Sequence, residues 1–229
     1  MSSFDPTRIT AICFDVDGTL RDTDDQYAHR FEKYFRPFRP LLPGRDVHRF
    51  ARRFVMWAEA PGNLLLGIPD RLHLDDELSR FGDWLHTRGI GAREHEYALV
   101  PGVREMLEKL RPHYKMAVVS ARPKRGTQGF LDHFGFGEFF DCVASAQTAV
   151  RTKPWPDPVI WAMEQMGAVP EETVMVGDTT VDLRAGQAAG TQTVGVLCGF
   201  GERGELERQG ADLILDETPE LAGVLLARE

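Results

Sequence analysis

Short apolar runs recur along this chain, with longer amphipathic stretches between them. Ile9 to Phe14, Met116 to Val119, Thr173 to Val176, Thr193 to Leu197 and Asp212 to Leu215 have the length and composition of buried strands, and Cys142 to Ala144 is a weaker sixth. Between them, Val103, Met106, Leu107 and Leu110 fall at the i, i+3, i+4, i+7 spacing of a helix with one apolar face. Val159, Ile160, Met163 and Met166 do much the same, and a further helix is expected to start near Thr180. Strands alternating with helices predict an α/β fold with a parallel sheet covered on both faces. Ligands of such sheets bind beyond the carboxyl ends of the strands.

The segment 22–95 breaks this rhythm. It offers no convincing strand, and Val47, Phe50, Ala51, Phe54, Val55 and Ala58 form one apolar stripe at helical period. Prolines at 37, 40, 43, 61 and 69 punctuate it. The expectation is an inserted α-helical domain over 22–95, with residues 1–21 and 96–229 forming the core. Between Arg36 and Gly62 six arginines stand against two acids, and Arg45, Arg49 and Arg52 share the face opposite the stripe. That face either draws an acidic substrate toward the core or is simply solvated.

Composition narrows the classes. The 229 residues carry a net charge of −8, which argues against a general nucleic-acid binder. No apolar run approaches the roughly 20 residues of a membrane span, and the polar first residues do not read as a signal peptide. Cys13, Cys142 and Cys198 form no CxxC pair, so the expected setting is reducing and cytoplasmic. The seven histidines lack metal-ligand spacing.

The chemistry-bearing residues sit where such a sheet binds its ligands. Asp15 and Asp17 follow the first strand, and burying two acids there is costly unless something neutralises or uses them. Gly18 comes next, and is expected to let the backbone approach a phosphate and offer it N–H groups. Ser120 ends the second strand, where it could hold a phosphate oxygen or cap a helix. Lys153 stands before Pro154 in a chain with only five lysines against 22 arginines, and its compact charge suits a phosphate and a carboxylate together. Val174-Met175-Val176-Gly177-Asp178 runs a strand into an acid, and Asp182 follows four residues on. Several acids and a phosphate at one place need a cation, and Mg2+ favours a few carboxylates plus water. With the repulsion removed, Asp15 is the nucleophile candidate and Asp17 the acid and base.

In these segments the chain resembles the haloacid dehalogenase superfamily, in its phosphoglycolate-phosphatase-like branch. Phe14-Asp15-Val16-Asp17-Gly18-Thr19-Leu20 resembles the first motif, Ser120 the second, Lys153-Pro154 the third, and Gly177-Asp178 through Asp182 the fourth. Val100-Pro101-Gly102-Val103 and Ala185-Gly186-Gln187-Ala188-Ala189-Gly190 also resemble stretches usual in that branch. The resemblance implies a Rossmann-like core with a mobile helical cap at 22–95. It implies phosphorylation of Asp15, proton transfer by Asp17, Mg2+ on Asp15, the Asp17 carbonyl and Asp178 with Asp182 in support, and phosphoryl binding by Ser120 and Lys153. The implied enzyme is a Mg2+-dependent phosphomonoester hydrolase of a small phosphorylated metabolite, monomeric or homodimeric, with neither nucleic acid nor membrane as partner. Two departures bear on substrate: Ala121 after Ser120, and Arg21 after Leu20.

Two other functions compete with that one, a sugar phosphomutase of the same superfamily and a non-catalytic binding protein on the same fold. Dehalogenation fits less well, since a halide leaving group has no need of the acid that Asp17 supplies. Gly199-Phe200-Gly201-Glu202-Arg203-Gly204 spells GxGxxG after a strand. Too little chain follows it for a dinucleotide-binding βαβ unit, so a plain glycine-rich loop is expected.

Overall fold

The computed structural model describes residues 4–22 and 97–227. The expected helical insertion, with its apolar stripe and its arginines at 45, 49 and 52, lies outside the described residues. Six strands make one sheet: β1 (Ala11–Phe14), β2 (Lys115–Val119), β3 (Cys142–Ala144), β4 (Thr173–Gly177), β5 (Gln192–Val196) and β6 (Leu213–Leu215). All pairings are parallel, in the order β3-β2-β1-β4-β5-β6. Each predicted strand is present, with ends displaced by a residue or two.

The helices are α1 (Val103–Leu110), α2 (Lys124–Phe134), α3 (Asp157–Met166), α4 (Thr180–Ala189), α5 (Arg203–Gln209) and α6 (Glu220–Leu226). α1 buries the four residues its period singled out. In α3, Ile160 leaves the apolar face and is exposed, and Ala162 takes its place. The patterning did not reveal α2, α5 or α6. α2 reads Lys-Arg-Gly-Thr-Gln-Gly at its start and buries only Thr127, Phe130 and Leu131, too few apolar positions to show a period.

The central strands are buried on both faces, which is why they read as unbroken apolar runs. Alternation sends Ala11 and Cys13 to one face, where they pack with Ala117, Val119 and Met175 of the sheet and with Val159, Ala162, Met163 and Met166 of α3 and Ala185 and Ala189 of α4. Small residues on this face let the two helices lie close. Ile12 and Phe14 fill the other face, where Phe14 meets Phe140 edge to face with ring centroids 6.3 Å apart. β1 has β2 on one side and β4 on the other, so the chain leaves it in opposite senses. The crevice beyond its carboxyl end is the topological switch point of the sheet.

Candidate active site

Asp15 lies at that switch point. Its N–H extends the ladder by donating to the Val176 carbonyl at 2.9 Å. It keeps the parity of Ala11 and Cys13, so its side chain faces the start of α4 and the loop leading into α3. Those two segments supply its neighbours. Lys153, from the loop, is 3% exposed and places Nζ 2.5 Å from Asp15 Oδ1 and 2.6 Å from Asp182 Oδ1. Asp182 uses its other oxygen differently: Oδ2 accepts from the Thr179 N–H at 3.1 Å and the Thr179 hydroxyl at 2.7 Å, capping α4. Thr179 and Asp182 together cap α4, so Asp178 is not the cap of that helix. Gly177 makes this possible, because a Cβ there would overlap the Asp182 side chain.

Asp178 completes the buried group. One ligand oxygen from each of Asp15, Asp178 and Asp182 lies within 4.8 Å of the others. The Phe200 N–H donates to Asp178 Oδ2 at 2.6 Å, while buried Oδ1 has no hydrogen-bond partner among the described residues. Such an oxygen is costly unless something fills its lone pairs. Burial pushes the Asp15 carboxyl up to about 7; the Lys153 ammonium opposes this, and Asp182 and Asp17 add to it. Burial, with Asp182 and Asp15 beside it, also raises Asp178 well above the usual carboxylate range. Burial lowers the Lys153 ammonium, but the two carboxylates on it outweigh that and leave it raised. Three carboxylates against one ammonium leave two negative charges uncompensated, which one divalent cation balances. The all-oxygen donor set suits Mg2+. Asp178 Oδ1 has the free lone pairs of a ligand, whereas both oxygens of Asp182 are engaged.

Asp17 is placed otherwise. Its carboxylate, 28% exposed, sits outside the buried group, paired with Arg122 Nε at 2.6 Å through Oδ2 and with Arg21 NH1 at 3.4 Å through Oδ1. Arg21 is fully buried, the largest such side chain among the described residues. Ser120 is buried, and its Oγ accepts from the Arg122 N–H at 3.1 Å. Two backbone N–H groups beside the site are committed within the fold. The Ser120 N–H is spent on the Ala144 carbonyl at 2.9 Å, continuing the sheet. The Gly18 N–H closes a turn onto the Arg21 carbonyl at 2.9 Å. Of the two Ser120 donors, the hydroxyl proton is the one left to offer a phosphate. Gly18 is glycine for two other reasons: its φ is +75°, and a Cβ would overlap the Asp178 carboxylate.

Sequence reasoning missed Arg122, two residues after Ser120. Its proximity to the expected second motif was the available signal. It also took Arg21 for a departure bearing on substrate, whereas its guanidinium faces Asp17.

Comparison with known proteins gives the family. The sequence profile of the family described as haloacid dehalogenase-like hydrolase matches residues 73–196, more than half of the chain. The chain belongs to the haloacid dehalogenase-like hydrolases. As a member of that family it is an enzyme, and the matched span carries Ser120, Lys153, Asp178 and Asp182. It is 30% identical over 213 residues to a phosphoglycolate phosphatase of Pseudomonas putida, covering 90% of this chain and 76% of that one. It is likewise 30% identical over 227 residues to the pyrophosphatase PpaX of Halalkalibacterium halodurans, covering 95% of this chain and 97% of that one. Among solved structures, a hydrolase from Pseudomonas syringae superposes with a TM-score of 0.67 at 24% identity, over 96% of this chain and 99% of that chain, a likeness of fold. Among the described residues no helix is long and apolar enough to cross a membrane, and the three cysteines are free.

Proposed function

We propose that this hydrolase is a Mg2+-dependent phosphomonoesterase acting on a small phosphorylated metabolite through an aspartyl-phosphate on Asp15. The observation that carries the reading is the buried Asp15–Lys153–Asp182 chain beside Asp178, whose inward oxygen has no partner among the described residues. Asp15 and Asp178, with the Asp17 carbonyl, would hold the cation, and Asp182 would support it through Lys153. When bound, the cation would screen the repulsion between the Asp15 carboxylate and the phosphoryl oxygens.

In the first step an Asp15 oxygen attacks phosphorus, the bond to the leaving alkoxide breaks, and Asp17 gives that oxygen its proton. In the second, Asp17 takes a proton from a water that attacks the acyl phosphate, releasing inorganic phosphate and restoring Asp15. Lys153 holds Asp15 in register and carries positive charge toward the transferring group. The Ser120 hydroxyl, whose oxygen is already fixed by the Arg122 N–H, donates to a phosphoryl oxygen. The names of the similar enzymes make phosphoglycolate the first substrate to test and pyrophosphate the second. The relevant assay is phosphate release from these two and from an aryl phosphate, with Mg2+ and with EDTA. Turnover that survives EDTA would sink the metal site, and release that requires an added sugar bisphosphate would favour the mutase over the hydrolase.

A further inference from the structure

The glycine-rich run after β5 has no part in the chemistry so far. Its first half, however, walls the Asp178 carboxylate. A Cβ on Gly199 would overlap that carboxylate and the Gly18 carbonyl oxygen. A Cβ on Gly201 would overlap the Asp178 carbonyl oxygen. Between them, the Phe200 N–H holds Asp178 Oδ2 at 2.6 Å. The third glycine of the motif behaves differently: Gly204 lies inside α5, and a Cβ there would meet nothing within 4 Å.

We propose that Gly199-Phe200-Gly201 is a positioning element that seats Asp178 and so sets divalent-cation affinity; it is not a nucleotide-binding loop. The inference rests on reading Asp178 as a metal ligand. Gly18 and Gly199 crowd the Asp178 carboxylate and Gly201 crowds its backbone carbonyl, so the residue is confined at both ends. The Phe200 N–H holds one oxygen, and the other, without a partner among the described residues, would be left for a cation. A loop that cradles phosphate needs its N–H groups free, and here the central one is already committed to a buried acid. Asp178 and the loop are far apart in sequence, so the GxGxxG pattern is the imprint of one acid pressed against two passes of backbone.

The test is calorimetric titration of the full chain with Mg2+ alone, without substrate. Gly199→Ala and Gly201→Ala are expected to weaken Mg2+ binding by about tenfold or more, the range seen when groups that orient metal ligands are altered. Gly204→Ala is expected to bind like wild type. Wild-type binding with unchanged affinity in both Gly199→Ala and Gly201→Ala overturns this inference and leaves the metal site standing. Absence of Mg2+ binding by wild type overturns the metal site, and the inference with it. Should both variants fail to melt cooperatively, hydrogen exchange on the wild type decides. Mg2+ is expected to slow exchange of the Phe200 amide, and an unchanged rate counts against the proposal.

Discussion

Asp15 and Asp17 are two residues apart and chemically identical, yet they occupy opposite regimes. Asp15 is buried at the end of β1, shares one lysine with Asp182 and is pushed up to about 7. Asp17 stands past the strand, part-exposed, between two guanidinium groups. The buried side ties Asp15 and Asp182 to one lysine and leaves Asp178 Oδ1 without a partner among the described residues. It carries an excess of negative charge that calls for an ion. The open side is already neutralised by two arginines, Arg21 buried and Arg122 part-exposed. A nucleophile needs the first environment, and a group that must trade protons with substrate and water needs the second. Two residues of chain are enough to separate them because the ladder to β4 continues through the Asp15 N–H and stops before Asp17.

The sharpest way to break this contrast is Asp15→Asn. It is expected to abolish phosphate release while leaving the melting temperature close to wild type, since an amide is a poor nucleophile but fits the same place. Residual turnover near wild type would mean that Asp15 is not the group attacked. Asp17→Asn is expected to lower kcat by about 10²–10⁴-fold, the span of a lost acid–base catalyst, with folding intact.

Lys153→Met tests the buried side alone. It strands Asp15 and Asp182 without their cation, and breaking a buried pair this way costs about 3–5 kcal/mol. A large fall in the denaturant midpoint is expected. A stability within about 1 kcal/mol of wild type would show that the pair is not what holds this corner.

Titration separates the two sides further. The Asp15 pKa is raised above its ordinary value of 3.8 in the folded chain. The folded state therefore binds a proton more readily than the unfolded one. That contribution is complete below about pH 4 and is lost as pH rises through about 7. Without Mg2+, the melting temperature is expected to fall from pH 5 to pH 7.5. Added Mg2+ is expected to raise it more at pH 7.5 than at pH 5, and an equal rise at both pH values would argue that the cation does not sit on Asp15. The smallest effect is expected on the open side: Arg122→Gln, losing a part-exposed ion pair, should change unfolding free energy by under about 1 kcal/mol. A larger loss in a denaturant titration would make that pair structural.

The sheet and two of the buried acids were legible in the sequence because each strand is mostly apolar and Asp15 and Asp178 each stand directly after one. The side on which each acid falls was not legible, since it depends on where a strand stops, and Asp17 lies just beyond such a stop. α2 was hidden by its polar, glycine-bearing start. The lysine was noticed for its rarity, but nothing local announces that Asp182 would share it. That contact needs Gly177 to let α4 settle against β4. The Gly199–Gly201 run was read as a plain glycine-rich loop, and what its glycines answer to, Asp178 just past β4, was hidden for the same reason.

One consequence follows from Asp182. A single carboxylate both starts a helix and grips the lysine on the nucleophile, one oxygen for each task. The first turn of α4 is therefore a ruler for the reaction centre. Lengthening or shortening the link between Gly177 and Asp182 by one residue would rotate that turn by about 100° and carry the grip away from Asp15. The later turns of α4 answer to packing on the sheet, but its beginning is locked to the chemistry.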